Sequence, residues 1–205
     1  MNDLDLFMTQ VALNNVPDAF NLNCHKYSEM VGAYSSRQYV TSTKGMWGIV
    51  DLQWTKKLSE FIGDRTCLEV MAGAGWLAKA LSIHGVDIHA TDNYKNHQKT
   101  RFKTVYDVEK MDAVKAAKKY HNKEILIMSW PPYRDSIAFN TLRAWHNNKS
   151  PSHQTVIYIG EGWDGCTADD KFHKHFHIEK DCDDLGIEYP NWFGIHDTVF
   201  VGHFI

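Results

Sequence analysis

The sequence predicts an α/β fold: a mostly parallel central sheet flanked by helices, ending in an antiparallel pair of strands. Three observations carry this. Apolar stretches rich in branched residues recur along the chain as TCLEVMAG, VDIHATD, EILIMSW and TVIYIGE, the first three separated by helical patterns, which is the rhythm of βαβ units. EILIM and TVIYI are continuous apolar runs, as strands covered on both faces by crossover helices must be. FHKHFHIEKD and TVFVGHFI instead alternate apolar and polar residues between Gly, Pro and Asn punctuation, the mark of an antiparallel pair with one face in solvent.

Taken in order, residues 1–30 lack a clear period and contain the turn-like NNVPDAFNLN, so residues 1–45 read as an N-terminal arm with short helices packed on the domain. SSRQYVTSTK, at 35–44, is polar and hydroxyl-rich. GMWGIVDLQWTKKLSEFIG then places Ile49, Leu52, Leu58, Phe61 and Ile62 at spacings of an amphipathic helix, with Gly63 as its stop. WLAKALSIHG sets Leu77, Ala80 and Leu81 on one helical face and ends at Gly85. MDAVKAAKKYH is rich in strong helix formers. No repeat, low-complexity tract or linker interrupts the 205 residues, so the whole chain reads as one domain.

Composition narrows the classes. With 43% apolar and 13% aromatic residues the chain can bury a core and is unlike a disordered segment. Cys24, Cys67, Cys166 and Cys182 form no CxxC pair, which argues against a zinc ribbon or a disulfide framework and for reduced thiols. No apolar run reaches the ~20 residues that span a bilayer, and MNDLDLFMTQ carries acids where a secretory signal carries bases. A cytoplasmic protein without membrane contact is expected. The net charge of -3 excludes coating of nucleic acid by charge alone. Yet residues 95–123 hold nine Lys or Arg against Asp107, Glu109 and Asp112, and residues 160–205 hold ten acids against Lys171, Lys174 and Lys180. A solvated helix face and a polyanion contact are the two readings of the basic run.

Two motifs carry chemistry. Residues 68–77, LEVMAGAGWL, run from an apolar strand through a glycine turn into a helix. Gly73 and Gly75, lacking Cβ, permit positive φ and close approach of a ligand to main-chain amides at the helix start. Glu69 lies at the strand end, and Asp92 closes the next strand, where a carboxylate can accept both hydroxyls of a ribose. The plainer alternative makes Gly73 and Gly75 a tight turn and Asp92 a helix cap. The second motif is Ser129, Trp130, Pro131, Pro132 and Tyr133, directly after EILIM, at the strand end where α/β sheets hold ligands. Its prolines fix φ and remove two donors, leaving nearby carbonyls to accept from an amine, and Tyr133 offers a flat face for stacking. The plainer alternative is a rigid loop around a core tryptophan.

EVMAGAG resembles the first motif of class I S-adenosylmethionine-dependent methyltransferases. SWPPY resembles the NPPY-type motif of the amino-methyltransferases, such as DNA adenine methyltransferases. The resemblance covers residues 66–133 and implies a Rossmann-like class I methyltransferase fold with S-adenosyl-L-methionine as cofactor. It implies that Glu69, Met71, Ala72, Gly73, Gly75, Asp92 and Asn93 hold that cofactor. It further implies that Ser129, Trp130, Pro131, Pro132 and Tyr133 form the catalytic pocket for a nitrogen of a planar or amide-bearing acceptor. A nucleic-acid base, DNA or RNA, is the favoured acceptor, with a small molecule or a protein side chain as the other partners. The chain departs from the motif at Trp130, which stands where the family has Asn, Asp or Ser, while Ser129 is one residue earlier and on the opposite face of an extended chain. A non-catalytic module that binds the cofactor without transfer is the alternative function.

Two further clusters remain. YIGEGWDGCTADD brings Glu161 and Trp163 into a glycine-rich loop after the fourth strand, where they are candidates for substrate contact or for a solvated turn. Cys166 in the same loop is a nucleophile candidate without an identifiable base. His173, His175 and His177 share one face if FHKHFH is a strand, which suits a substrate-facing edge better than a metal, so no metal is expected.

Overall fold

The computed structural model describes residues 3–20, 27–95, 102–148 and 154–205, with residues 27–30 described by their backbone alone. Helices α1 (Asp3–Ala12) and α2 (Tyr27–Tyr39) come first, and α2 runs into a single π-helical turn at Val40–Lys44. α3 (Leu52–Ile62) begins at Asp51, whose carboxylate caps it by accepting from the Trp54 amide, and stops at Gly63 with φ 59°. The second Asp51 oxygen accepts from the Phe20 amide at 3.0 Å, so one buried acid pins the N-terminal segment to α3. Burial raises its pKa to about 6 against those hydrogen bonds.

The order then becomes β1 (Cys67–Val70), α4 (Trp76–Ile83), β2 (Ile88–Asp92), β3 (Val108–Lys110), α5 (Ala113–Lys119), β4 (Ile125–Ser129), α6 (Ile137–Asn147) and β5 (Val156–Gly160). It closes with α7 (Asp170–His175), β6 (Phe176–Lys180), α8 (Cys182–Leu185) and β7 (Thr198–Phe204). The sheet runs β3-β2-β1-β4-β5-β7-β6. β1 to β5 are parallel and β7 is antiparallel to both β5 and β6. This is the mostly parallel, helix-flanked sheet with an antiparallel C-terminal pair that the sequence predicts, with the chain reversing direction across the sheet between β1 and β4.

Alternation along the central strands splits the core. Cys67, Ile125, Ile127, Ile157 and Ile159 face a cluster shared with α1, α3 and α4, which includes Phe7, Val11, Trp54, Leu58 and Leu77. Leu68, Val70, Leu126, Met128, Val156 and Tyr158 face the other, built on α5, α6 and α7. With a side-chain period of two, Glu69 and Ser129 fall on the α3–α4 face.

The helix expected from GMWGIVDLQW begins only at Leu52; Ile49 is buried but lies before the cap. β3 and α6 are additional to the elements legible in the sequence. FHKHFHIEKD is not one strand. Asp169 accepts from the Phe172 amide and starts α7, so His173 and His175 are helical and only His177 is in a strand. The three histidines share no strand face: His173 Nε2 meets the Thr167 carbonyl, His175 Nδ1 the Lys171 carbonyl, and His177 packs on His203. Cys67, Cys166 and Cys182 are free thiols, and Cys24 lies outside the described residues. Among the described residues no helix is long and apolar enough to cross a membrane.

Candidate active site

The C-terminal ends of β1, β2 and β4 open onto two adjoining spaces. One is a small cavity of about 30 Å³ lined by Gly45, Met46, Trp47, Gly48 and Val50 from the N-terminal part, and by Glu69, Met71, Ala72, Gly73, Trp76, Leu77, Ser129 and Trp130. That volume admits one water-sized group. The other is a cleft of about 690 Å³, within the range of small-molecule sites. Its walls include Asp92, Asn93, Asp112, Pro131, Pro132 and Tyr133. Trp47, Met71 and Trp130 border both.

Glu69 is the buried acid of the small cavity. It is 1% exposed, and its Oε2 has no hydrogen-bond partner among the described residues. Burial raises its pKa to about 8, offset in part by the Ala78 amide and raised further by the charge of Asp92. A carboxyl group held this way takes up a cation readily, because ionisation then gains a partner.

The bend after β1 is shaped by Met71 at φ 57°, Gly73 at φ 57° and Gly75 at φ 83°. Its two glycines do different work. The Gly73 amide donates to Asp92 Oδ2 at 2.8 Å and Gly73 faces the small cavity. Gly75, expected beside a cofactor, lies in neither space: a Cβ there would stand 2.8 Å from both Tyr106 Cβ and Val108 Cγ2. The Val105 amide also donates to the Ala74 carbonyl at 2.9 Å, so the chain leading into β3 covers the α4 side of the bend. Gly75 is a packing glycine, and the accessible edge of the bend is Met71, Ala72 and Gly73.

Asp92 is buried and accepts from the Tyr94 amide through Oδ1, as well as from Gly73. Both oxygens thus hold the bend and its neighbour in place while Asp92 and Asn93 line the cleft. Asp112 lines it too, capping α5 by accepting from the Val114 and Lys115 amides; it reads in sequence as an ordinary helix cap.

SWPPY turns sharply. Trp130 has φ 51°, a left-handed conformation that costs a non-glycine residue about 1–2 kcal/mol and is held by specific bonds. Its amide donates to the Ile159 carbonyl at 2.8 Å and its indole Nε1 to Asp197 Oδ2 at 2.7 Å. Asp197, 2% exposed, also accepts from Tyr189 Oη and Asn191 Nδ2. Burial raises its pKa, against these three donors. Trp130 is therefore a fixed partition between the two spaces. Pro131 does not keep a free carbonyl as expected: it accepts from the Ala168 amide at 3.1 Å. Ser129 faces the small cavity with Glu69 and not the cleft. Tyr133 is 52% exposed at the cleft wall.

The loop after β5 behaves differently from its expectation. Glu161 spends both oxygens on main-chain amides, Cys166 on Oε2 at 2.7 Å and His196 on Oε1 at 3.0 Å. Burial pushes its pKa up, but the bonds from Cys166 and His196 win and hold it below the usual range. It ties the loop to the segment preceding β7 and is absent from the cleft wall. Trp163 is 59% exposed and packs near His173. Cys166 does reach the cleft, with burial first and Glu161 second raising its pKa to about 11. Of the basic run, Lys119 pairs with Glu109 and Lys123 with Asp87, while Lys99 and Arg101 lie outside the described residues.

Arg37, Trp47, Lys95, Asp135 and Ile137 complete the cleft. None was legible from a motif. Their only signal in sequence is chemical type, because the chain reversals that bring them here are tertiary.

No protein-family model matches the chain, and no curated protein matches it. Among solved structures it is similar to a TehB-like SAM-dependent methyltransferase from Corynebacterium glutamicum, at 14% identity and TM-score 0.49, covering 88% of this chain and 100% of that one. It is also similar to ribosomal protein L11 methylase from Lactobacillus delbrueckii subsp. bulgaricus, at 12% identity and TM-score 0.46, covering 75% and 76%. A third is the SAM-dependent methyltransferase from Agrobacterium tumefaciens, at 10% identity and TM-score 0.42, covering 75% of this chain and 60% of that one. The chain thus spans about three fifths of the Agrobacterium protein. Likenesses this distant concern the course of the chain alone.

Proposed function

We propose that this chain is an S-adenosylmethionine-dependent methyltransferase that transfers a methyl group to a nitrogen of a planar or amide-bearing acceptor, a nucleic-acid base being the favoured class. The observation that carries the reading is Glu69: a buried carboxyl with an unpartnered oxygen, in a cavity the size of one ammonium head, at the end of the first parallel strand. The residues fit the cofactor. Glu69 would meet its amino group, the edge formed by Met71, Ala72 and Gly73 its methionine chain, and Asp92 and Asn93 its ribose, with Asp112 on the same wall.

When bound, the cofactor supplies an electrophilic methyl group on sulfur. The protein's part is to align and to exclude water. Trp130, locked on Asp197, and the two prolines after it give the cleft a stiff floor, and Tyr133 adds a flat wall against which a ring can lie. A nitrogen acceptor held by these walls would need positioning more than a strong base, its proton passing to solvent after transfer. The main-chain carbonyl of Pro131 retains one lone pair beyond the Ala168 bond to orient an amine.

Calorimetric titration tests the reading. S-adenosylmethionine and S-adenosylhomocysteine are expected to bind the wild type and to bind Glu69→Gln more weakly; no binding to the wild type at millimolar concentration rejects it. Transfer of a labelled methyl group to DNA, RNA, nucleotides and small amines then ranks the acceptors. One observation favours a second reading, a module that binds the cofactor without transfer: the position before Pro131 carries Trp130 in place of a side-chain acceptor. Cofactor binding with no transfer to any nitrogen would select it.

A further inference from the structure

Arg37 reaches the cleft from α2, beside Trp47, Trp130, Tyr133 and Cys166. Its guanidinium carbon lies 5.8 Å from the ring centroid of Trp130, a ring whose position is fixed by Asp197. Among the described residues its Nε is buried without a hydrogen-bond partner, and Arg37 takes part in none of the ion pairs. The acids of the same cleft are already spending oxygens on main-chain amides: Asp92 on Gly73 and Tyr94, Asp112 on Val114 and Lys115, and Asp135 on Ile137.

A partly buried guanidinium without an acceptor is costly, since desolvation is not offset by pairing. Its planar fork of donors matches the oxygens of a carboxylate or phosphate. Beside it Trp47 is 40% and Tyr133 52% exposed, the latter with the Arg134 guanidinium 4.9 Å from its ring centroid. Arg37 does not border the small cavity that contains Glu69, so it is separate from the pocket assigned to the amino-acid end of the cofactor.

We infer that the acceptor bound in this cleft is a small flat ring carrying an anionic oxygen group, phosphate or carboxylate, and that Arg37 is the residue that binds this group. The inference rests on the methyltransferase reading for the ring's identity as an acceptor, but the anion site itself is tested separately.

The experiment is calorimetric titration of the full chain, with and without S-adenosylhomocysteine. The probes are two matched pairs: adenosine 5′-monophosphate against adenosine, and 2-aminobenzoate against 2-aminobenzamide. At least one anion is expected to bind about tenfold or more tighter than its neutral analogue, as a charge-assisted hydrogen bond in a cleft allows. Arg37→Gln is expected to erase that preference and Arg37→Lys to keep part of it, with affinity for S-adenosylhomocysteine staying within about twofold of wild type. The phosphate pair responding alone identifies a phosphate, and the benzoate pair alone a carboxylate. The inference is overturned if neither anion binds at millimolar concentration, or if anions and neutral analogues bind alike. It is also overturned if Arg37→Gln weakens S-adenosylhomocysteine as much as the anion, since Arg37 would then serve the cofactor's carboxylate. Anion preference in a wild type that does not bind S-adenosylhomocysteine would reject the methyltransferase reading and leave the Arg37 site standing.

Discussion

Trp130 and Asp197, 67 residues apart in the chain, are joined by an indole-to-carboxylate hydrogen bond of 2.7 Å. Asp197→Ala removes the acceptor for Trp130, Tyr189 and Asn191 together. Leaving several buried donors unpaired is expected to cost about 2–4 kcal/mol, read as a lower urea midpoint. Asp197→Asn keeps shape and one acceptor oxygen, and is expected to lose less than half as much. Equal stability of both variants and the wild type would show that the bond does not hold the bend.

Glu69 gives the stability curve a sign. Its folded pKa is raised from 4.5 to about 8, so the folded state keeps a proton that the unfolded chain has released. Stability should therefore fall as pH rises from about 4.5 to 8 by up to ~1.4 kcal/mol per unit, and Glu69→Gln should flatten that decline. Urea unfolding across this range measures both.

Cofactor affinity should move the other way. An ammonium group favours ionised Glu69, so S-adenosylhomocysteine is expected to bind up to about tenfold tighter per pH unit between about 6 and 8, the gain levelling off once free Glu69 is itself ionised above about 8. Binding should release a proton, detected as a dependence of the calorimetric heat on the buffer's ionisation enthalpy. A pH-independent affinity in the wild type would separate Glu69 from the ligand.

Gly48 lies against the same bend. A Cβ there would stand 2.7 Å from Tyr189 Oη and 2.8 Å from the Trp130 ring, so Gly48→Ala must displace the residues that Asp197 gathers. A loss of about 1–3 kcal/mol is expected, as for other overpacked sites, with a shift in tryptophan emission.

Much of the architecture was legible because it is local. Strands such as ILIMS and VIYIG and helices such as WLAKALSI announce themselves by period and branching, and Gly63 and Gly85 end their helices as their missing Cβ allows. FHKHFH was misleading because alternation over six residues fits a strand, while the decisive signal was Asp169, which caps a helix there. The bend, Glu69 and Asp92 could be located from sequence. Gly75 could not be assigned its job, since what opposes it is Tyr106, thirty-one residues on. Glu161 looked like a free carboxylate because nothing in its neighbourhood foretells the amide of His196. Arg37 was invisible for the same reason: an arginine in a polar stretch gains meaning only when folding denies it a partner.

The stiff floor of the cleft depends on a residue made late. During synthesis the ribosome delivers the SWPPY segment well before Asp197, so until the segment around Asp197 emerges the indole lacks this acceptor and the turn at Trp130 lacks one of its restraints. A nascent chain without the segment around Asp197 would carry the bend at Met71, Ala72 and Gly73 without a rigid wall beside it, and the cleft would take its final shape only when β7 slots between β5 and β6.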